Sequence, residues 1–189
     1  MPSSFPFFEK RSLVLIQGPA GCGKTTLALY FCDNFVRKDR KIFYLTPFSA
    51  RNVSAYFARM FPSSQRAIGK KIFFGYIEPV TDEELVEDVA HVVNNFSVDC
   101  VVIDPLFPGM DRLAFRDICD ILRKVKTAGI FCSPPHREIE SMVDYVINFE
   151  MKRVKHAVAR SFTLRNNSTL EEKVYRMRIE TGKAIIETS

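Results

Sequence analysis

Apolar and polar positions alternate between two rhythms along most of the chain. Leu13 to Gln17 is a short, nearly unbroken apolar run ending at Gly18, the pattern of a strand buried on both faces. From Lys24 to Val36 the apolar residues Leu27, Tyr30, Phe31 and Phe35 recur at helical spacing. Lys41 to Leu45 reads as a second buried strand closed by Pro47, and Ala50 to Phe61 as a helix with Val53, Tyr56, Phe57 and Met60 inward. Ile72-Phe73-Phe74 is a brief strand. Thr81 with Glu84 three residues on forms a capping box that opens a helix facing inward through Leu85, Val89, Val92 and Val93. Cys100 to Asp104 is a strand that ends in a carboxylate, with Asp99 at its opposite end. Asp111 to Thr127 is an amphipathic helix with Leu113, Ile118, Ile121, Leu122 and Val125 on one side, capped by Gly129, and Ile130-Phe131-Cys132 follows as a strand.

Beyond Ser141 the helical rhythm stops. Val143 to Phe149 is strand-like, and residues 160–165 and 173–180 alternate as a hairpin around Asn166-Asn167-Ser168. A turn at Thr181-Gly182-Lys183 leads to Ala184-Ile185-Ile186. Alternating strands and helices followed by strands alone predict an α/β fold: a mostly parallel sheet flanked by helices, with antiparallel strands added at one edge. The 189 residues suit one domain, with residues 1–10 as an irregular lead-in and 151–189 as a basic hairpin region. In the lead-in Phe5, Phe7 and Phe8 are expected to cover an edge of the core.

Composition narrows the setting. Hydrophobic content of 47% and charged content of 26% fit a folded globular chain. No apolar run is long enough to span a membrane, and Met1 to Pro6 lacks the pattern of a signal peptide, so a cytoplasmic location is expected. Cys22, Cys32, Cys100, Cys119 and Cys132 form no C-x-x-C pair, which argues for reduced, buried thiols over a disulfide framework or zinc site. His91, His136 and His156 have no ligand spacing. The net charge of +5 lies wholly in residues 151–189, with nine Lys/Arg against four Asp/Glu. That surplus is either a solvated face or a surface for DNA, with Arg176 and Arg178 as candidate contacts.

The chemistry concentrates at Gly18-Pro19-Ala20-Gly21-Cys22-Gly23-Lys24-Thr25, which fits G-x-x-x-x-G-K-[ST] at every fixed position between a buried strand and a helix. Glycines let successive backbone N–H groups turn inward around phosphate oxygens, and the helix adds its positive end. In such a loop Lys24 reaches the β- and γ-phosphates of ATP, Thr25 ligates Mg²⁺, and Thr26 continues the nucleotide-binding stretch. Asp104, delivered by an apolar strand, is the expected second Mg²⁺ ligand.

Other segments carry a resemblance to a family. Asp144-Tyr145-Val146-Ile147-Asn148-Phe149-Glu150 is similar to the "ADxVIxLE" strand of RecA-like ATPases, and Ile179-Glu180-Thr181-Gly182 to their closing segment. With the strand order, this resembles archaeal RadA/RadB recombinase paralogues and single-domain KaiC-like proteins over about Leu13 to Ile186, and disfavours small-molecule kinases. The resemblance implies an ATP- and Mg²⁺-binding core, Ser133 as a polar sensor, and Arg165 as the residue that reaches a neighbouring subunit's nucleotide, its usual Lys partner being replaced by Thr163. The family's active members place a Glu after the second core strand. Here Thr46-Pro47-Phe48-Ser49 has none, Asp39 lies at the wrong end, and Glu78 and Glu138 are the remaining carboxylates considered. Three functions remain open: an ATP-binding recombinase paralogue that assists DNA repair with weak or absent hydrolysis, a KaiC-like signalling ATPase, and a non-catalytic assembly subunit. Expected partners are nucleotide, DNA, a recombinase or other RecA-like protein, or further copies of the chain, and no membrane.

Overall fold

The computed structural model describes residue 5 and residues 11–78, 81–107, 109–154, 157–180 and 183–188. Phe7, Phe8, His156 and the turn residues Thr181 and Gly182 lie outside the described residues. Nine strands form one sheet in the order β3-β2-β4-β5-β1-β6-β7-β8-β9. β1 (Leu13–Gln17), β2 (Ile42–Thr46), β3 (Ile72–Tyr76), β4 (Cys100–Ile103), β5 (Ala128–Ser133) and the start of β6 (Tyr145–Val154) run parallel. β7 (Ala157–Asn166), β8 (Glu172–Glu180) and β9 (Lys183–Thr188) continue antiparallel from β6. This is the α/β arrangement expected, with β6 longer than its apolar stretch because its far half pairs with β7 beyond the parallel sheet.

Side chains that alternate along each strand split into two cores. Val14, Ile16, Val102, Ile130 and Ile147 face α1 (Lys24–Arg37) and α2 (Ala50–Met60). Leu13, Leu15, Val101, Ile103, Phe131 and Val146 face α3 (Asp82–Phe96) and α4 (Arg112–Lys124). The pleat's period of two is what sorts them. The Thr81–Glu84 capping box is present. Phe5 is 4% exposed and packs on Phe31, Phe162 and Tyr175, with the nearest centroids at 5.1 Å. All five cysteines are free and buried. No helix among the described residues is long and apolar enough to cross a membrane.

Two expectations are corrected. α4 buries Phe115, Ile118, Cys119 and Leu122, while Leu113 and Val125 are exposed. Asp111 is the N-cap, accepting from the amides of Leu113 and Ala114, so the helix starts and ends inside the wider span and its end residues fall off the buried stripe. Gly129 does not cap α4. It lies within β5, where a Cβ would meet Leu122 Cδ1 at 2.8 Å and Leu13 Cδ2 at 2.9 Å. Its lack of a side chain lets α4 and β1 close on the strand.

Candidate nucleotide site

The loop from Gly18 to Gly23 joins β1 to α1 at the C-terminal end of the parallel sheet, where open α/β sheets place ligands. α1 has no side-chain N-cap and no acidic residue in its first turn. Its first helical bond runs from Leu27 N–H to Gly23 O at 2.9 Å. Ahead of it, the amides of Gly23, Lys24, Thr25 and Thr26 have no backbone acceptor among the described residues. A helix end without acidic side chains or backbone acceptors is suited to an anionic ligand. Lys24 Nζ folds back on the loop, donating to Gly18 O at 2.7 Å and Pro19 O at 2.9 Å. Thr26 is buried and its hydroxyl meets Tyr56 OH at 3.1 Å, while Thr25 is half-buried. Pro19, Ala20 and Gly21 are exposed at the loop's rim. Burial raises the Cys22 thiol, against the opposing pull of Lys24, so it stays protonated.

Gly23 is held at φ 114, a left-handed value that favours glycine. A Cβ there would also collide with Met177 Cε and would lie 3.9 Å from Phe149 Cε1. The hairpin strands β6 and β8 therefore press directly on the phosphate loop.

Asp104 is 4% exposed just past β4. It continues the alternation of Cys100 and Val102 and so falls on the α1 side of the sheet. There the Tyr44 hydroxyl donates to its Oδ2. Burial and then the Asp104 charge push the Tyr44 phenol and the Cys132 thiol well above their usual values. Both therefore remain protonated at neutral pH. Thr25 and Asp104 supply one hydroxyl and one carboxylate. No group of three His, Cys, Asp or Glu among the described residues could hold a metal. That sparse donor set suits Mg²⁺, which takes few protein ligands and keeps water and phosphate oxygens.

A second polar cluster backs the loop. Gln17, 3% exposed, accepts from His136 N–H at 2.9 Å and donates to Glu140 Oε1 at 2.6 Å and Asn148 Oδ1 at 2.7 Å. Glu140 Oε2 takes Arg165 Nη2 at 2.6 Å, and Arg165 Nε reaches Asn167 at 3.2 Å. In this chain Arg165 is thus engaged within its own protomer. Ser133, 2% exposed, ends β5 with its hydroxyl on Pro134 O at 2.6 Å. Glu78 and Glu138 are exposed, and Asp39 pairs with Lys71 at 2.8 Å. Arg176 and Arg178 lie on the sheet face turned away from α1, where Arg178 pairs with Glu187 at 2.9 Å. The parts played by Tyr44, Gln17 and Glu140 do not follow from the sequence. The one available signal is a polar residue, Gln17, at the end of an otherwise apolar strand.

No protein-family model matches the chain, and a search of curated proteins returns no match. Among solved structures, the chain is similar to a KaiC-like protein from the hyperthermophilic archaeon Pyrococcus horikoshii OT3. The TM-score is 0.76 at 18% identity, covering 94% of this chain and 90% of that one. At this identity the likeness shows the fold alone: a mostly parallel sheet flanked by helices, with antiparallel C-terminal strands. In all, 315 solved chains match, so the fold is widely shared and function has to be argued from the site.

Proposed function

We propose that the chain binds Mg²⁺–ATP through Gly18 to Thr26 and Asp104 and holds it as a slowly turned-over ligand, serving a RecA-like partner in DNA recombination or repair. What supports this reading is a phosphate-loop pattern whose amides lack backbone acceptors, together with a segment, Thr46 to Ser49, that carries no carboxylate where the resemblance expects a Glu. β2 ends in Tyr44-Leu45-Thr46, and Tyr44 is spent on Asp104. Glu140 has both oxygens committed, to Gln17 and Arg165. On nucleotide entry Lys24 would exchange two neutral carbonyls for anionic phosphate oxygens, which accept stronger hydrogen bonds. Mg²⁺ would neutralise charge on the β- and γ-phosphates, held from the protein side by Thr25 and Asp104. Without a base, bound ATP acts chiefly by favouring one conformation over another.

A KaiC-like ATPase is the second reading, favoured by the solved KaiC-like chain that shares the fold. Single-turnover hydrolysis of Mg²⁺–ATP by the protein alone separates the two. The first reading expects nucleotide binding that Lys24→Ala abolishes, with turnover near the uncatalysed level. Rapid hydrolysis lost in Lys24→Ala favours the KaiC-like reading, and no binding of ATP or ADP removes both. An assembly subunit would instead form its complexes equally well with Lys24→Ala.

A further inference from the structure

The phosphate loop has a neighbour that neither the motif nor the resemblance points to. Arg160 lies on β7, opposite Met177 of β8 and Met151 of β6. It falls on the α1 side of the sheet, in step with Phe162 and Leu164, which are buried in the α1 core. Its Cδ sits 3.8 Å from the position of a Cβ on Gly23, so its stem packs on the last residue of the loop. The side chain is half-buried, and its Nε is buried with no hydrogen-bond partner. No carboxylate lies within 4.0 Å of its guanidinium among the described residues. Its charge is felt at Cys22 in the middle of the loop. Arg165, five residues on along the same strand, shows the contrast: its guanidinium is taken up by Glu140 and Asn167.

A buried donor on a cation without an acceptor is costly and uncommon in a folded protein. Next to it are the amides of Gly23 to Thr26, also without backbone acceptors among the described residues, at the uncapped end of α1. One anion placed there satisfies both sets. We propose that Arg160 is a phosphate-binding residue of its own protomer, donating to the α- and β-phosphate oxygens of a nucleoside di- or triphosphate. In phosphate loops the backbone amides cradle the α- and β-phosphates and the lysine reaches β and γ. Arg160, at the Gly23 end, therefore adds to the part of the ligand that ADP and ATP share. The hairpin becomes a wall of the site and not only an extension of the sheet.

This inference rests on the nucleotide-binding reading, and the experiment keeps the two apart. Binding of Mg²⁺–ADP and Mg²⁺–ATP is measured by calorimetry for the whole chain, for Lys24→Ala, for Arg160→Met, which keeps the apolar stem, and for Arg160→Lys, which keeps the charge. Urea midpoints of each variant establish that it is folded. Arg160→Met is expected to weaken both nucleotides by about ten- to hundredfold, the scale of a lost charge-assisted hydrogen bond. Arg160→Lys is expected to recover most of that loss. Binding by Arg160→Met within twofold of the parent overturns the proposal while leaving the site reading intact, as does a loss confined to ATP or one that Arg160→Lys leaves unrepaired. Failure of the parent chain to bind either nucleotide overturns both.

Discussion

Removing one hydroxyl, in Tyr44→Phe, tests how Asp104 is held. Tyr44 is fully buried, with its ring 5.5 Å from that of Phe74, and phenylalanine keeps that packing almost unchanged. What is lost is the hydrogen bond to Oδ2 of a carboxylate that is itself 4% exposed. A hydrogen bond to a carboxylate contributes about 1.5–3 kcal/mol. With a urea dependence of about 2 kcal/mol per molar, the midpoint of the ligand-free protein should fall by about 0.7–1.5 M without a change in slope. Saturating Mg²⁺–ADP should shrink the deficit, because a cation beside Asp104 supplies what the phenol supplied before. The nucleotide then stabilises the variant more than the parent, a difference that closes a thermodynamic cycle. A deficit under about 0.5 kcal/mol without ligand, against the hydrogen-bond range used here, refutes the assigned role of the hydroxyl. An equal deficit with and without Mg²⁺–ADP refutes the coupling between Tyr44 and the metal position.

Gly23→Ala should cost at least about 1–3 kcal/mol from its left-handed φ, with a further contribution from the collision with Met177, and Met177→Ala in the same chain should restore only that steric part; additive losses in denaturant melts count against the contact. Alkaline pH should destabilise the fold. Burial pushes the Cys119 thiol from 9.0 up to about 12 and raises the Tyr44 phenol well above its usual value, so above pH 9 the unfolded chain sheds protons that the folded chain keeps. The stability these groups contribute is complete below their unfolded pKa and is lost as pH rises toward the folded one, at up to about 1.4 kcal/mol per pH unit for each group. Urea midpoints that stay level from pH 8.5 to 10.5 contradict this. If Arg176 and Arg178 contact DNA, reversing both to Glu should weaken binding to any sequence and flatten its salt dependence, whereas binding indifferent to salt leaves them as a solvated face.

The parts of the site written in one stretch of chain are legible in the sequence. β1, the phosphate loop and α1 follow from local periodicity and a contiguous motif, and Asp104 from a strand that ends in a carboxylate. The contacts that qualify those parts cross long gaps in sequence. Tyr44 meets Asp104 across 60 residues and Gln17 meets Glu140 across 123. Which residues of neighbouring strands come level is set by sheet order and register, and these are properties of the assembled fold. Arg160 is inconspicuous because its strand reads as an ordinary basic hairpin until β6 is seen to lie beside β1. The α4 face departs from expectation for a local reason. The stripe of Phe115, Ile118, Cys119 and Leu122 is present at helical spacing, but the expected span is too long at both ends.

Gln17 has a consequence for motion. Its single amide group holds the backbone of the β5–β6 connection through His136, a β6 side chain through Asn148, and the Arg165 end of β7 through Glu140. No one of these can swing away without breaking a bond at the root of the phosphate loop. In deuterium exchange, the His136 amide should consequently open together with the central strands rather than with the exposed residues beside it. A ligand that stiffens the loop should slow exchange at that amide too.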